Sequence, residues 1–372
     1  MFRFSRSLPV RKNINGGETV GGPTVFIYTP VDESGQSHRR LEEAGCELKI
    51  GSGFWKDFAA EDRNIAEELD DNIHALMSVA NRRMPVTREA LQAAKNLRII
   101  SKYTIGVDDI DVAAATELGI LITHCPTEAN WGGVAESAMT MMLDLLKKSR
   151  ERDRHVKEGG WRHESLEGTY LGARHDGYAG ITVGIVGLGR IGTRLADLLA
   201  PWRGRIIATD PYVDLAKFIN AGVERVDLET LLRQSDVVTL HCNLTEETRK
   251  LIGETQFDMM KETVIFLNTS RGPVVDEEAL ADALANDKIA AAAIDVFAVE
   301  PVPAESPLLK MGDKILMSPH AVSYNRESGL GPSIPWATDA VLSALRGQVP
   351  EHVYNKKAID KWLDRFGDVK LI

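Results

Sequence analysis

The chain has 372 residues, 44% hydrophobic and 26% charged, with a formal net charge of -10. That length exceeds one ordinary core and predicts two domains of a normal globular protein. A pI near 5.5 excludes the basic footprint of a nucleic-acid or anionic-membrane binder, while a small anionic substrate in a locally positive pocket stays compatible.

The leader, residues 1–17, carries basic and no acidic residues. It reads as disordered out to residue 22, with organelle targeting left open. From Pro23 onward, short β-rich runs alternate with helical spacing. "TVFIYT" (24–29), "CELKI" (46–50), "IHALMSV" (73–79), "RIISK" (98–102) and "ILITH" (120–124) predict buried strands. Between them "SHRRLEEA", "TREALQAA" and "DVAAATEL" predict helices capped by Ser37, Thr87 and Asp111. Such alternation implies a parallel sheet with helices on both faces.

Residues 133–159 predict one long helix bridging two domains, and the Gly- and Tyr-rich stretch after it an ordered surface connection. A second series then begins with "ITVGIVG" (181–187), "RIIAT" (205–209) and "DVVTL" (236–240). "TVIFL" (263–267), "AAAAIDV" (290–296) and "KILMS" (314–318) complete it, and the tail from Arg326 is helical again. The predicted fold is α/β, two Rossmann- or flavodoxin-like parallel-sheet domains with the active site expected in the cleft between them. An outer domain would span 1–125 and 326–372, and an inserted second domain 126–325, whose motifs below mark it as the NAD-binding one.

Cys46, Cys125 and Cys242 lie far apart with no C-x-x-C pair, so neither a disulfide framework nor a metal site is expected. A reducing, cytoplasmic setting fits. No apolar run approaches the ~18 residues of a membrane span.

"VGIVGLGRIG" (183–192) places Gly187, Gly189 and Gly192 as G-x-G-x-x-G between a strand and a helix. The next strand ends at Asp210, where a dinucleotide fold puts the acid that binds the ribose hydroxyls. Glycines there let backbone approach a pyrophosphate, whose charge the helix N-terminus holds. Asp210 repels a 2′-phosphate and "DPYV" supplies no neighbouring arginine, so NAD is favoured over NADP.

Three strand ends in this half carry the remaining candidates. "LNTSRGPVVDEEAL" (267–280) offers Arg271, a guanidinium able to grip a carboxylate through two parallel hydrogen bonds. "AAAAIDVFAVEP" (290–301) carries Asp295 and Glu300 in apolar surroundings, which demands partners. "ILMSPHAVS" (315–323) adds His320, which alone reads as a part-buried histidine. With an arginine and a carboxylate nearby it becomes an acid-base candidate.

These segments, with "IGVDDIDVAAATELGI", "VAE", "GIVGLGRIG" and "LTEETRKLIG", resemble the D-isomer-specific 2-hydroxyacid dehydrogenase family, close to its phosphoglycerate dehydrogenase-like members, over nearly all of residues 24 to 355. The resemblance implies an oxidoreductase that interconverts a D-2-hydroxy acid and its 2-keto acid. Arg271 would bind the carboxylate and polarise the keto oxygen, His320 would be the acid-base group, and Glu300 would hold and charge the imidazole.

It also implies pyrophosphate contacts at Arg190 and Ile191, and contacts nearer the nicotinamide at Cys242, Thr269 and Asp295. Ile105 would face the cofactor from the other domain. Asn81, Arg83 and Gly106 match substrate-binding positions, and a homodimer through the nucleotide domain is implied. The chain ends soon after the returning helix, so feedback through an added regulatory domain is not expected.

Departures from the family pattern stand at Asn243, at Trp131 with its Gly-Gly pair, and in "NRRMP". Lys102, Tyr103 and Trp131 would line an enlarged pocket, with interdomain packing the alternative for Trp131. The alternative function is an NAD(H)-sensing, corepressor-like scaffold of the same fold. A formate dehydrogenase-like reading is disfavoured by Glu300, where those enzymes resemble one another in having glutamine.

Overall fold

The computed structural model describes residues 21–51, 65–79, 85–326 and 330–372. Residues 1–20 of the leader, and the substrate-loop candidates Asn81 and Arg83, lie outside the described residues. The chain divides into two compact units, Met1–Pro126 with Leu330–Ile372, and Thr127–Gly329.

In the first unit β1 (Thr24–Ile27), β2 (Glu47–Ile50), β3 (Ile73–Ser78), β4 (Ile99–Lys102) and β5 (Leu121–Thr123) form a sheet ordered β2-β1-β3-β4-β5. Every pairing is parallel. Strand alternation feeds two cores, with Val25 and Ile27 packing on one side beside Val341, Leu345 and Trp362. Phe26 packs on the other beside Leu91 and Ala114. The inner strands are thus buried on both faces, which is why they read as continuous apolar runs. β2 departs from its expected burial: it stands at the sheet edge, and both Glu47 and Ile50 are exposed.

Thr87 and Asp111 cap their helices by accepting the N–H groups of Ala90 and Ala114. Ser37 does not cap: its helix starts at Gln36 after Gly35, and its N–H and hydroxyl both donate to Asp32 Oδ2 at 2.7 Å. The Asp32 carboxylate, just upstream of the first turn, captures the groups a cap would have used.

Lys102 and Tyr103 are core residues of this unit, 0% and 1% exposed. Neither therefore lines an open pocket. The Lys102 ammonium donates to Ser78 Oγ at 2.9 Å, Val79 O at 2.5 Å and Asp109 Oδ2 at 2.7 Å, so its three protons are all used. Burial pushes its pKa down, against the pull of the Asp109 carboxylate. Replacing Lys102 by Met takes the ammonium away from the buried Asp109 carboxylate, and urea denaturation should show a loss of about 3 to 5 kcal/mol in unfolding free energy. A loss under about 1 kcal/mol, the worth of a solvent-exposed pair, would show that the interaction is dispensable.

The second unit holds β6 (Thr182–Val186), β7 (Arg205–Thr209), β8 (Glu224–Arg225), β9 (Val237–Leu240), β10 (Ile265–Asn268), β11 (Ala291–Ile294) and β12 (Ile315–Met317). Their order is β12-β11-β10-β9-β6-β7-β8, again all parallel. The order reverses direction at β6/β9, the place where such sheets open a crevice at their carboxyl ends. β8 has no apolar run; its two residues are both charged and exposed, so hydrophobic pattern does not reveal it.

The long helix differs from expectation. It starts at Glu128, lies wholly in the second unit, and breaks at Lys148, whose φ of 51° separates Glu128–Lys147 from Ser149–Lys157. Burial stops at the break: nine residues of the first helix are buried and none of the second. Without a face to bury, the charged half has no reason to continue the first axis.

Candidate active site

Six neighbouring parallel strands bring the second unit's candidates to one sheet edge. Across it, Asp210 follows β7, Gly187 follows β6 and Cys242 lies just past β9. Thr269 and Arg271 follow β10, Asp295 follows β11, and His320 is three residues past β12. Sequence positions 133 apart, Gly187 and His320, thereby share one edge.

The glycine turn is sterically enforced. Gly187 has φ +94°, and a Cβ there would meet Cys242 N at 2.7 Å, so only glycine lets the turn pack against the end of β9. At Gly189 the Cβ position faces open space, leaving room above the helix Arg190–Leu199, whose N-terminus carries no side-chain cap. Its first N–H groups are thus available to an anion. Arg190 is exposed and Ile191 half-buried in that first turn.

Asp210 is pinned by both oxygens: Leu188 N–H donates to Oδ2 and Tyr212 N–H to Oδ1, each at 2.9 Å. One further lone pair on each oxygen remains for a ligand hydroxyl. A cleft of about 570 Å³ opens beside it, lined by Pro211, Arg225, Val226, Asp227 and Thr230 among others. No arginine neighbours Asp210 in sequence, yet the fold places Arg225 in the same cleft.

At this edge the buried Thr269 Oγ1 and His241 Nδ1 have no partner among the described residues. Orphans of this kind are rare and call for a ligand or water. Burial pushes the His241 imidazole down to about 3 and the Cys242 thiol up to about 11. Both are neutral near pH 7, so this stretch of the edge offers a nucleotide no cationic contact. The open turn, the uncapped helix, the pinned carboxylate and the orphaned hydroxyl fit a dinucleotide.

Past β10, Asn268 clamps the turn that presents Arg271. Its Oδ1 accepts from Ser270 N and Oγ at 3.0 and 2.8 Å, and its Nδ2 donates to Arg271 O at 3.0 Å. Arg271 is half-buried, with Nη1 donating to Ser270 O at 2.7 Å. Gly272 then packs so closely that a Cβ would collide with the Phe297 carbonyl. That approach fastens the Arg271 turn to the segment leading to Glu300. Sequence alone does not single out Asn268 or Gly272; an amide at a strand end, just before Thr-Ser-Arg-Gly, is the one signal it offers.

Glu300 and His320 meet directly, Nδ1 to Oε2 at 2.9 Å. The other carboxylate oxygen accepts Phe297 N–H at 3.0 Å, which fixes the carboxylate's orientation. The Glu300 side chain is 18% exposed and that of His320 44%, so the carboxylate backs an imidazole that stays accessible. With Nδ1–H held on the carboxylate, Nε2 is the atom that takes or gives a proton.

His320 has φ +54°, in the left-handed region that few non-glycine residues adopt. Asp295 holds it there: its carbonyl accepts His320 N–H at 2.8 Å, and its Oδ1 accepts Ala321 and Val322 N–H at 2.9 and 3.3 Å. Burial raises the Asp295 pKa, opposed by the Ser318 hydrogen bond, the His320 charge and these N–H groups. Asp295, placed near the nicotinamide by resemblance, thus also positions the histidine loop. Ser137 Oγ supports the same loop by donating to Val322 O at 2.8 Å, and Gly133 lets the helix approach Asn325. Trp131 is half-buried on that helix.

In the first unit, Ile105 and Gly106 are half-buried in the turn after β4. His124 Nδ1 lies 3.2 Å from Ile105 O, and Thr104 Oγ1 donates to Gly106 O at 3.1 Å. Among the described residues no group of His, Cys, Asp and Glu is arranged to hold a metal ion, and no helix is long and apolar enough to cross a membrane.

Residues 139–322 match the family described as D-isomer specific 2-hydroxyacid dehydrogenase, NAD binding domain. A glyoxylate reductase of Korarchaeum cryptofilum is 37% identical over 342 residues, 91% of this chain and 97% of the relative. A D-3-phosphoglycerate dehydrogenase of Archaeoglobus fulgidus is 36% identical over 337 residues, 90% of this chain but only 60% of that longer relative. In three dimensions, a glyoxylate reductase from Paecilomyes thermophila matches with a TM-score of 0.78 over 91% of this chain and all of its own, at 24% identity, which speaks to fold.

Proposed function

Since the chain belongs to the D-isomer-specific 2-hydroxyacid dehydrogenase family, we propose that it interconverts a D-2-hydroxy acid and its 2-keto acid with NAD. The observation that carries this reading is the Glu300-backed imidazole of His320, at 2.9 Å, on the same strand edge as Arg271 and the glycine turn.

The backbone of Gly187–Ile191 holds the pyrophosphate, Asp210 the adenosine ribose, and Thr269, Cys242 and Asp295 line the nicotinamide end. When bound, NADH supplies the hydride taken up by the keto carbon. Arg271 grips the substrate carboxylate through its guanidinium fork and draws negative charge on the keto oxygen towards itself. His320 Nε2 delivers a proton to that oxygen in reduction and removes it in oxidation, while Glu300 stabilises the imidazolium between the two. The negative Asp210 favours NAD over NADP by repelling a 2′-phosphate.

The test follows NADH absorbance with purified protein and a panel of 2-keto acids that includes glyoxylate, hydroxypyruvate, phosphohydroxypyruvate and bulky or aromatic members. Turnover on at least one is expected, and its rank order names the substrate. Bound NADH with no oxidation across the panel would overturn the catalytic reading.

A further inference from the structure

We infer that Arg225 is a latent 2′-phosphate receptor, silenced by Asp210, so that one carboxylate decides between NAD and NADP; this rests on the dinucleotide site proposed above. Arg225 ends β8, its Cα level with Ala208 of β7, two residues before Asp210. Both side chains line the same cleft beside the strand edge.

Arg225 is the cation of that cleft. Its guanidinium carbon rests 5.3 Å from the centroid of the buried Phe218 ring, and among the described residues no carboxylate pairs with it. The nearby Asp227 carboxylate caps the following helix by accepting Thr230 N–H at 2.7 Å. That hydrogen bond holds its pKa below the usual carboxylate range, so it remains charged. The cleft therefore contains two carboxylates and one guanidinium.

A phosphate dianion entering this balance meets net repulsion. Without the Asp210 charge, one carboxylate faces one guanidinium whose planar fork matches phosphate oxygens bidentately. No new arginine is then required, in contrast to a fold whose ribose acid lacks a cation across the cleft.

Titration of NADH and of NADPH by fluorescence, on the full chain, tests this without any turnover. Wild type should prefer NADH. Asp210→Asn and Asp210→Ser should each raise NADPH affinity relative to NADH about tenfold or more, the worth of a charge-assisted hydrogen bond gained and a repulsion lost. Adding Arg225→Ala to either should withdraw most of that gain. Two results overturn the inference: the gain survives without Arg225, or neither Asp210 variant gains although NADH still binds. Wild type that binds neither nucleotide overturns the cofactor reading itself, and this inference with it.

Discussion

Replacing His320 with Ala should lower kcat about a hundredfold or more while leaving the Kd for NADH close to that of wild type. A positioned proton donor contributes about 10²–10⁴ to such a step. Here only one ring nitrogen serves it, because Nδ1 is engaged with Glu300 Oε2 at 2.9 Å. The proposed pyrophosphate and ribose contacts follow β6 and β7, and the hydrogen bonds that hold Asp210 do not involve His320. Binding and chemistry should therefore separate. Alanine keeps a Cβ at φ +54° and so leaves the backbone as it was. The side chain it removes is 44% exposed, so thermal stability should change little. The readouts are steady-state turnover on the best panel substrate, NADH fluorescence titration and thermal unfolding. Turnover within about tenfold of wild type, below what a positioned acid supplies, would remove His320 from the chemistry. Loss of NADH binding would instead make it a structural support of the nucleotide site.

Much of this arrangement is legible in the sequence because parallel strands buried on both faces must be nearly continuous apolar runs. Every strand but β8 falls within a predicted segment, though β2, which the sheet leaves at an edge and half-exposed, is the alternating "ELKI" and not a continuous apolar run. Each candidate from Gly187 to His320 is found by looking just past a run's end. Where the pattern lacks burial, the reading fails: β8 is two exposed charged residues, and with it goes Arg225, which only the sheet order brings to Asp210's cleft. The break at Lys148 is hidden for the opposite reason. Helical propensity continues through "LLKKSRERD", but burial ends there. Lys102 shows a third limit, since a charged residue at a strand end next to a substrate loop suggests an open pocket. Its pairing with Asp109, seven residues on, depends on how the turn between them folds. Asn268 and Gly272 matter through backbone contacts to Arg271 and Phe297, which no spacing rule encodes.

Arg271 should prove the most sensitive single position in the site. Arg271→Ala is expected to cut kcat/KM about a thousandfold, the scale of losing one preorganised charge-stabilising donor together with the substrate's carboxylate anchor. Arg271→Lys keeps the charge but not the fork, so it should recover only part of the loss, and mostly in kcat rather than KM. The turn is held by Asn268 through Ser270 N, Ser270 Oγ and Arg271 O, and by the close approach of Gly272 to Phe297. In that clamp Arg271 takes part through its backbone carbonyl, which both variants retain. The guanidinium's bond from Nη1 to Ser270 O, at 2.7 Å, stays within the turn, so removing it leaves the clamp in place. A matched fall in kcat/KM for Ala and Lys would mean that fork geometry, not charge, carries the effect. Full activity in Arg271→Lys would mean that charge alone suffices, and near-wild-type kcat/KM in Arg271→Ala would move the substrate anchor elsewhere on the strand edge.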